Sequence, residues 1–119
     1  MKNLFILTAF VLLLMGCYSP KKLSKVPLSK YDKHTEYGIR DRPDGFEVTV
    51  FYSRYQFIGE GSLVRDESKS KAIAIAYEVA EERGKKIKPI NEQRIKLTNG
   101  RNELSGVTSC LAVAIVEWE

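Results

Sequence analysis

The stretch Gly106–Glu119, GVTSCLAVAIVEWE, is apolar on both faces of an extended chain. Side chains alternate along a strand. Val107, Leu111, Val113 and Ile115 therefore fall on one side, and Cys110, Ala112, Ala114, Val116 and Trp118 on the other. A strand of this kind has to be interior to a sheet and covered from above and below. Every other element must be arranged around that requirement.

Two further segments have a clear period. FEVTVFYSRYQFIGEG is rich in Val, Phe, Tyr and Thr, and predicts a strand from Phe46 to Ile58 ended by Gly59 and Gly61. In LVRDESKSKAIAIAYEVAEERGKK the period changes. Ala72, Ile75, Ala76 and Val79 share a helical face, flanked by Ile73, Tyr77 and Ala80. The spacing predicts a helix over 68–83, with Ser68 as N-cap and Gly84 just past its end, followed by Lys85 and Lys86. KIKPINEQRIKLTNG predicts another strand, with Ile95 and Leu97 pointing one way and Arg94 and Lys96 the other. Pro89 has no N–H to give a ladder, which favours an edge. Asn99–Glu103 reads as a turn.

The expected fold is α+β: a β-α-β-β domain over 45–119 with a three-stranded sheet in the order 1-3-2. A right-handed crossover joins the first two strands, and one helix packs on one face. That helix leaves the second sheet face uncovered. Val26, Leu28, Tyr31 and Ile39 of the upstream chain, a second copy, or a partner are the candidates to cover it.

Residues 18–44 hold three prolines and many lysines without sustained period, and read as a flexible basic tether. The net charge of +4, from 19 basic and 15 acidic residues, is concentrated there. Lysines in such a tether can rest on anionic headgroups.

Met1-Lys2-Asn3 is a short positive segment, and from Leu4 to Met15 only Thr8 is polar. Twelve helical residues span about 18 Å, too little for a hydrocarbon core of about 30 Å. The segment reads as a secretory signal peptide over 1–16. Leu14-Met15-Gly16-Cys17 resembles the lipobox of bacterial lipoproteins: an aliphatic residue, a tolerant position, a small residue and a cysteine. The resemblance implies that the Cys17 sulfur receives a diacylglyceryl thioether, with palmitate-type chains, and that signal peptidase II cuts between Gly16 and Cys17. Tyr18 after the cysteine implies the periplasmic face of the outer membrane, with the inner membrane as alternative. In arrangement alone, the remainder resembles small Gram-negative lipoproteins of uncharacterised role, and that likeness carries no functional residue.

A lipid on Cys17 leaves Cys110 without a partner in the chain, as an inert thiol inside an apolar strand. The alternative is a small thiol-dependent enzyme using Cys110, with His34 as a distant base. The chain has no metal-ligand cluster and no cofactor motif. Phe51, Tyr52, Arg54, Tyr55 and Phe57 put aromatic rings beside a cation, as nucleic-acid platforms do. On an exported chain the same residues are instead a surface for a protein partner, and no nucleic acid is expected. Arg94, Lys96 and Asn99–Asn102 suit an anionic glycan or lipid headgroup. The sequence thus points to a lipid-anchored, non-enzymatic interaction module of the periplasm. Its expected partners are the membrane and either an envelope protein or a second copy, and a structural homodimer is a further reading.

Overall fold

A computed structural model describes residues 19–119, so Gly16, Cys17 and the expected leader lie outside the described residues. The elements are a 3-10 turn at Pro20–Leu23, then β1 (Ser29–Lys30), β2 (Thr35–Arg42), β3 (Gly45–Tyr55), α1 (Gly61–Glu82), a second 3-10 turn at Glu92–Arg94, β4 (Lys96–Asn102) and β5 (Val107–Glu117). Every ladder is antiparallel, and the sheet order is β1-β2-β3-β5-β4. Among the described residues, no helix is long and apolar enough to cross a membrane.

Two expectations about the sheet are corrected. The sheet has five strands, not three, and the two extra strands come from the segment expected to be a flexible tether. The physical reason lies in Thr35–Arg42. Thr35, Tyr37 and Ile39 alternate with Glu36, Gly38 and Arg40, and the register places the first set opposite Tyr52, Val50 and Val48. Tyr37 and Ile39 pack against the core on the helix side. The hairpin at 31–35 is also tied to the helix. The Tyr31 hydroxyl donates to Glu78 Oε1 at 2.7 Å, and Lys71 Nζ lies 3.1 Å from Asp32 Oδ2. Burial works against charge on Asp32. The His34 backbone N–H at 2.9 Å and the Lys71 ammonium outweigh it, and hold the carboxyl at about 2 rather than 3.8.

The helix begins at Gly61, so Ser68 is not its cap. Val64 extends the buried stripe by two turns toward the N-terminus, through Ser68 to Ala72, Ile75, Ala76 and Val79. Ser68 is fully buried, and its hydroxyl donates to the Cys110 carbonyl at 3.3 Å. At the other end Gly84 takes φ +64. Its N–H meets the Glu81 carbonyl at 3.1 Å, and the Lys85 N–H meets that of Ala80 at 3.1 Å, closing the helix in a Schellman arrangement.

One core lies between α1 and the sheet. Phe46, Val48 and Val50 of β3 and Ala112, Ala114 and Val116 of β5 meet Ala72, Ile75, Ala76, Val79 and Ala80. Alanines on both sides let helix and sheet approach closely. Phe46, fully buried, fills the wider end, with the Trp118 ring 5.0 Å and the Arg83 guanidinium 5.6 Å away.

The opposite sheet face is partly covered by the chain itself. Pro20–Val26 crosses it from β4 to β2. A Cβ at Gly100 would stand 2.5 Å from Pro20 Cδ, and one at Gly38 would stand 2.5 Å from Val26 Cγ2. Only glycine lets this strap lie so close to the strands. Lys21 closes it, with its ammonium 2.8 Å from Glu36 Oε2 and 5.8 Å from the centre of the Phe51 ring. The β4–β5 turn falls at 103–106, because Asn99–Asn102 continue β4 instead of turning.

Candidate interaction site

The strap covers only the half of the face near Gly100, Ser109 and Phe51. The rest is an open groove of about 430 Å³ over β2, β3, β5 and β4. Leu111, Val113 and Ile115 form its apolar floor, and Lys25, Arg40, Arg42 and Lys96 stand around it. A second hollow of about 360 Å³ shares Arg42 and Ile115 with it, and adds Lys88 and Arg94. Six cations thus border two connected hollows, against the carboxylates of Glu47 and Glu117.

Glu47 organises the groove. Its neighbours on β3 and the paired strands leave its side chain 7% exposed, and a carboxylate in that setting needs partners. Arg40 Nη2 donates to Glu47 Oε2 at 2.8 Å, and Arg42 Nη1 to the same oxygen at 3.3 Å. Register explains the meeting. Arg40 faces Glu47 directly across the β2–β3 ladder, and Arg42 faces Gly45 one position along the same side. Both guanidinium groups are nearly half exposed and keep further N–H donors free for the solvent side. An apolar floor with fixed guanidinium groups along its rim can hold an anionic, partly apolar segment.

The residues expected to act do not come together. Phe51 and Tyr52 are both buried, and they sit on opposite faces of β3. Phe51 lies under Lys21, whereas Tyr52 packs with Val64 and Cys110 on the helix side. Arg54, Tyr55 and Phe57 are exposed at the end of β3 and in the loop after it. Lys96 reaches the groove and Arg94 the hollow beside it. The sequence reading missed Arg40, Arg42 and Glu47. The alternation Glu36, Gly38, Arg40, Arg42 on one side of β2 was the available signal.

Cys110 is fully buried. Burial pushes its thiol pKa up, further than the Ser68 hydroxyl, the Thr98 backbone and the Arg65 charge bring it down. Among the described residues no hydrogen bond joins Cys110 to His34, whose ring stands 6.2 Å from that of Tyr52 instead. Among the described residues, no group of three or more His, Cys, Asp or Glu is placed to hold a metal ion. Comparison with protein-family models, with curated proteins and with solved structures yields no match to this chain.

Proposed function

We propose that this chain is a lipid-anchored, non-enzymatic binding module of the bacterial envelope. It is held by an acylated Cys17 at the periplasmic face of the outer membrane, and it uses the open half of its sheet to dock an envelope protein through an acidic and apolar segment. The observation that carries the docking role is the groove floored by Leu111, Val113 and Ile115 and bordered by Lys25, Arg40, Arg42 and Lys96. The lipobox-like Leu14-Met15-Gly16-Cys17 supports the anchor. A thiol-enzyme reading has less support, because a buried thiol whose pKa burial raises yields little thiolate near neutrality.

Photo-crosslinking in intact cells tests the docking role. A crosslinker at Ile115, 55% exposed, captures a discrete envelope protein, and Lys96→Glu abolishes the adduct. The same group at Tyr77, on the far side of the helix, captures nothing specific. Equal adducts from both positions refute docking at the groove. The anchor is tested separately, by the mass of the N-terminal peptide from the membrane fraction, which should carry acyl chains on Cys17.

A further inference from the structure

The most exposed large apolar side chains of the described chain are gathered at one end of it, away from the groove. Tyr55 is 64% exposed, Phe57 86%, Ile58 75% and Leu104 90%. Tyr55 ends β3, and the other three belong to two loops, the one after β3 and the one between β4 and β5. Tyr55 pairs with Val107, which also pairs with Asn102, so both loops leave the sheet at the same edge. We infer that this end is a membrane-contact site, whose loops enter the headgroup region of a lipid bilayer.

Three observations select a bilayer as the occupant. First, the two loops are tied together at their bases. Arg101 lies between them and donates to the Gln56 carbonyl at 3.1 Å, the Gly106 carbonyl at 3.4 Å and the Thr108 hydroxyl at 2.6 Å. The Gln56 N–H donates to the Gly106 carbonyl at 2.8 Å, and the Glu60 N–H to the Gln56 side chain at 2.8 Å. Among the described residues the Phe57 and Ile58 N–H groups have no backbone partner, so the loops belong at headgroup depth, where water still reaches them. Second, the surface is a pair of projecting loops with a tyrosine at its base, a form suited to a fluid interface where aromatic rings lie at headgroup level. Third, the described chain starts here. Pro20 rests on Gly100, two positions before Asn102. Chain geometry keeps a residue two positions before Ser19 within about 7 Å of it. Acyl chains on Cys17 would therefore enter the bilayer beside these loops, and the loops would add apolar contact to the attachment that the two chains supply.

Charge contributes little at this end. Exposed Arg54 and Arg65 are offset by Glu60, Asp66 and Glu103, and Glu103 lies 3.0 Å from Arg101 Nε. Attachment is therefore apolar and nearly independent of salt, unlike a contact made by the basic groove.

The site rests on the anchor reading only for the nearness of Cys17, and the test does not need the lipid. The chain from position 17 onward holds every described residue. With Cys17→Ser it should partition onto vesicles of phosphatidylethanolamine and phosphatidylglycerol, and do so almost equally in low and high salt. The triple variant F57S/I58S/L104S should lose at least tenfold in partitioning at an unchanged Tm. Equal partitioning of the two chains overturns the inference. So does partitioning that disappears in high salt, which would assign the contact to the groove. A second measurement uses the lipidated protein and brominated lipids. Fluorescence from F57W should be quenched while that of Trp118, at the opposite end of β5, is not, and the reverse pattern refutes the site. An unacylated Cys17 would end the anchor reading, whereas the vesicle result decides this one in either case.

Discussion

Glu47 and its two arginines give the sharpest test of how the open face is built. The perturbation is removal of Arg40 and Arg42, singly and together, with and without Glu47→Gln. Removing one partner of a fully buried ion pair costs about 3–5 kcal/mol, because a charge is left in low dielectric. Here only the carboxylate is buried. Its side chain is 7% exposed, against 43% for Arg40 and 41% for Arg42, so water screens the arginine side. Either arginine alone still reaches Oε2, at 2.8 or 3.3 Å. Each single Arg→Ala variant should therefore cost about 0.5–1 kcal/mol, in the range of exposed pairs. The double variant strands the carboxylate and should cost about 2–3 kcal/mol, which exceeds the sum of the singles. Glu47→Gln added to the double variant should recover most of that loss, since an amide costs less to leave unpaired than a charge. Urea unfolding monitored through Trp118, with the m-value unchanged across the set, measures the cycle. Additive singles, or a double variant that Glu47→Gln does not rescue, would refute the argument that Glu47 is held as a buried anion by these two side chains.

Three other consequences concern the fold. Phe46→Ala should cost about 3–5 kcal/mol, because a fully buried ring between α1 and the Trp118 ring is lost and the site cannot close, and chemical denaturation checks it. Gly38→Ala places a methyl 2.5 Å from Val26 Cγ2 and 2.7 Å from the Pro27 carbonyl, so the strap must lift. The expected cost is about 1–3 kcal/mol, with faster amide exchange at Val26. The Asp32 carboxyl is held at about 2 from 3.8, so its contribution is present above the higher value and lost as the pH falls toward the lower one. That shift bounds the effect at about 2.5 kcal/mol. Solvent around a side chain 37% exposed reduces it to about 1 kcal/mol, so Asp32→Asn should destabilise by that amount at pH 7 and by almost nothing at pH 2.

The parts of the fold that show in the sequence are those with a full period and little competition. Val107–Trp118 announces its need for cover on both faces, because apolar residues occupy both parities over its whole length. The stripe from Ala72 to Val79 is equally plain. Thr35–Arg42 was obscured by its surroundings. Its outward positions carry Glu36, Gly38, Arg40 and Arg42, and lysines and prolines flank it, so an alternating strand reads locally as a basic linker. Ser68 misled because serine beside acidic residues is good capping chemistry. Val64, one turn earlier on the same stripe, gains more by burial than Ser68 would by ending the helix. The groove was legible only in pieces: the apolar face of Leu111, Val113 and Ile115, and the cation Lys96. Arg40, Glu47, Leu111 and Lys96 come from four strands, and only the register brings them together.

The positions of the two proposed contacts along the strands determine how they can work together. Val107 opens β5 at the loop end, and Ile115 lies eight residues further along the same strand. At about 3.3 Å per residue the separation is about 26 Å. With the loops in the headgroups and the strands upright, Arg40 and Arg42 would stand more than two Debye lengths from the lipid phosphates, and Lys96, opposite Val113, about two, at about 10 Å each. Anionic lipid could then not neutralise Arg40, Arg42 and Lys96, and the groove would remain available to an acidic partner. A domain lying flat would put these cations on its own membrane, and the lipid would compete for them. Ionic strength separates the two postures. In the upright one, salt weakens capture at Ile115 while leaving membrane attachment unchanged, and in the flat one both fall together.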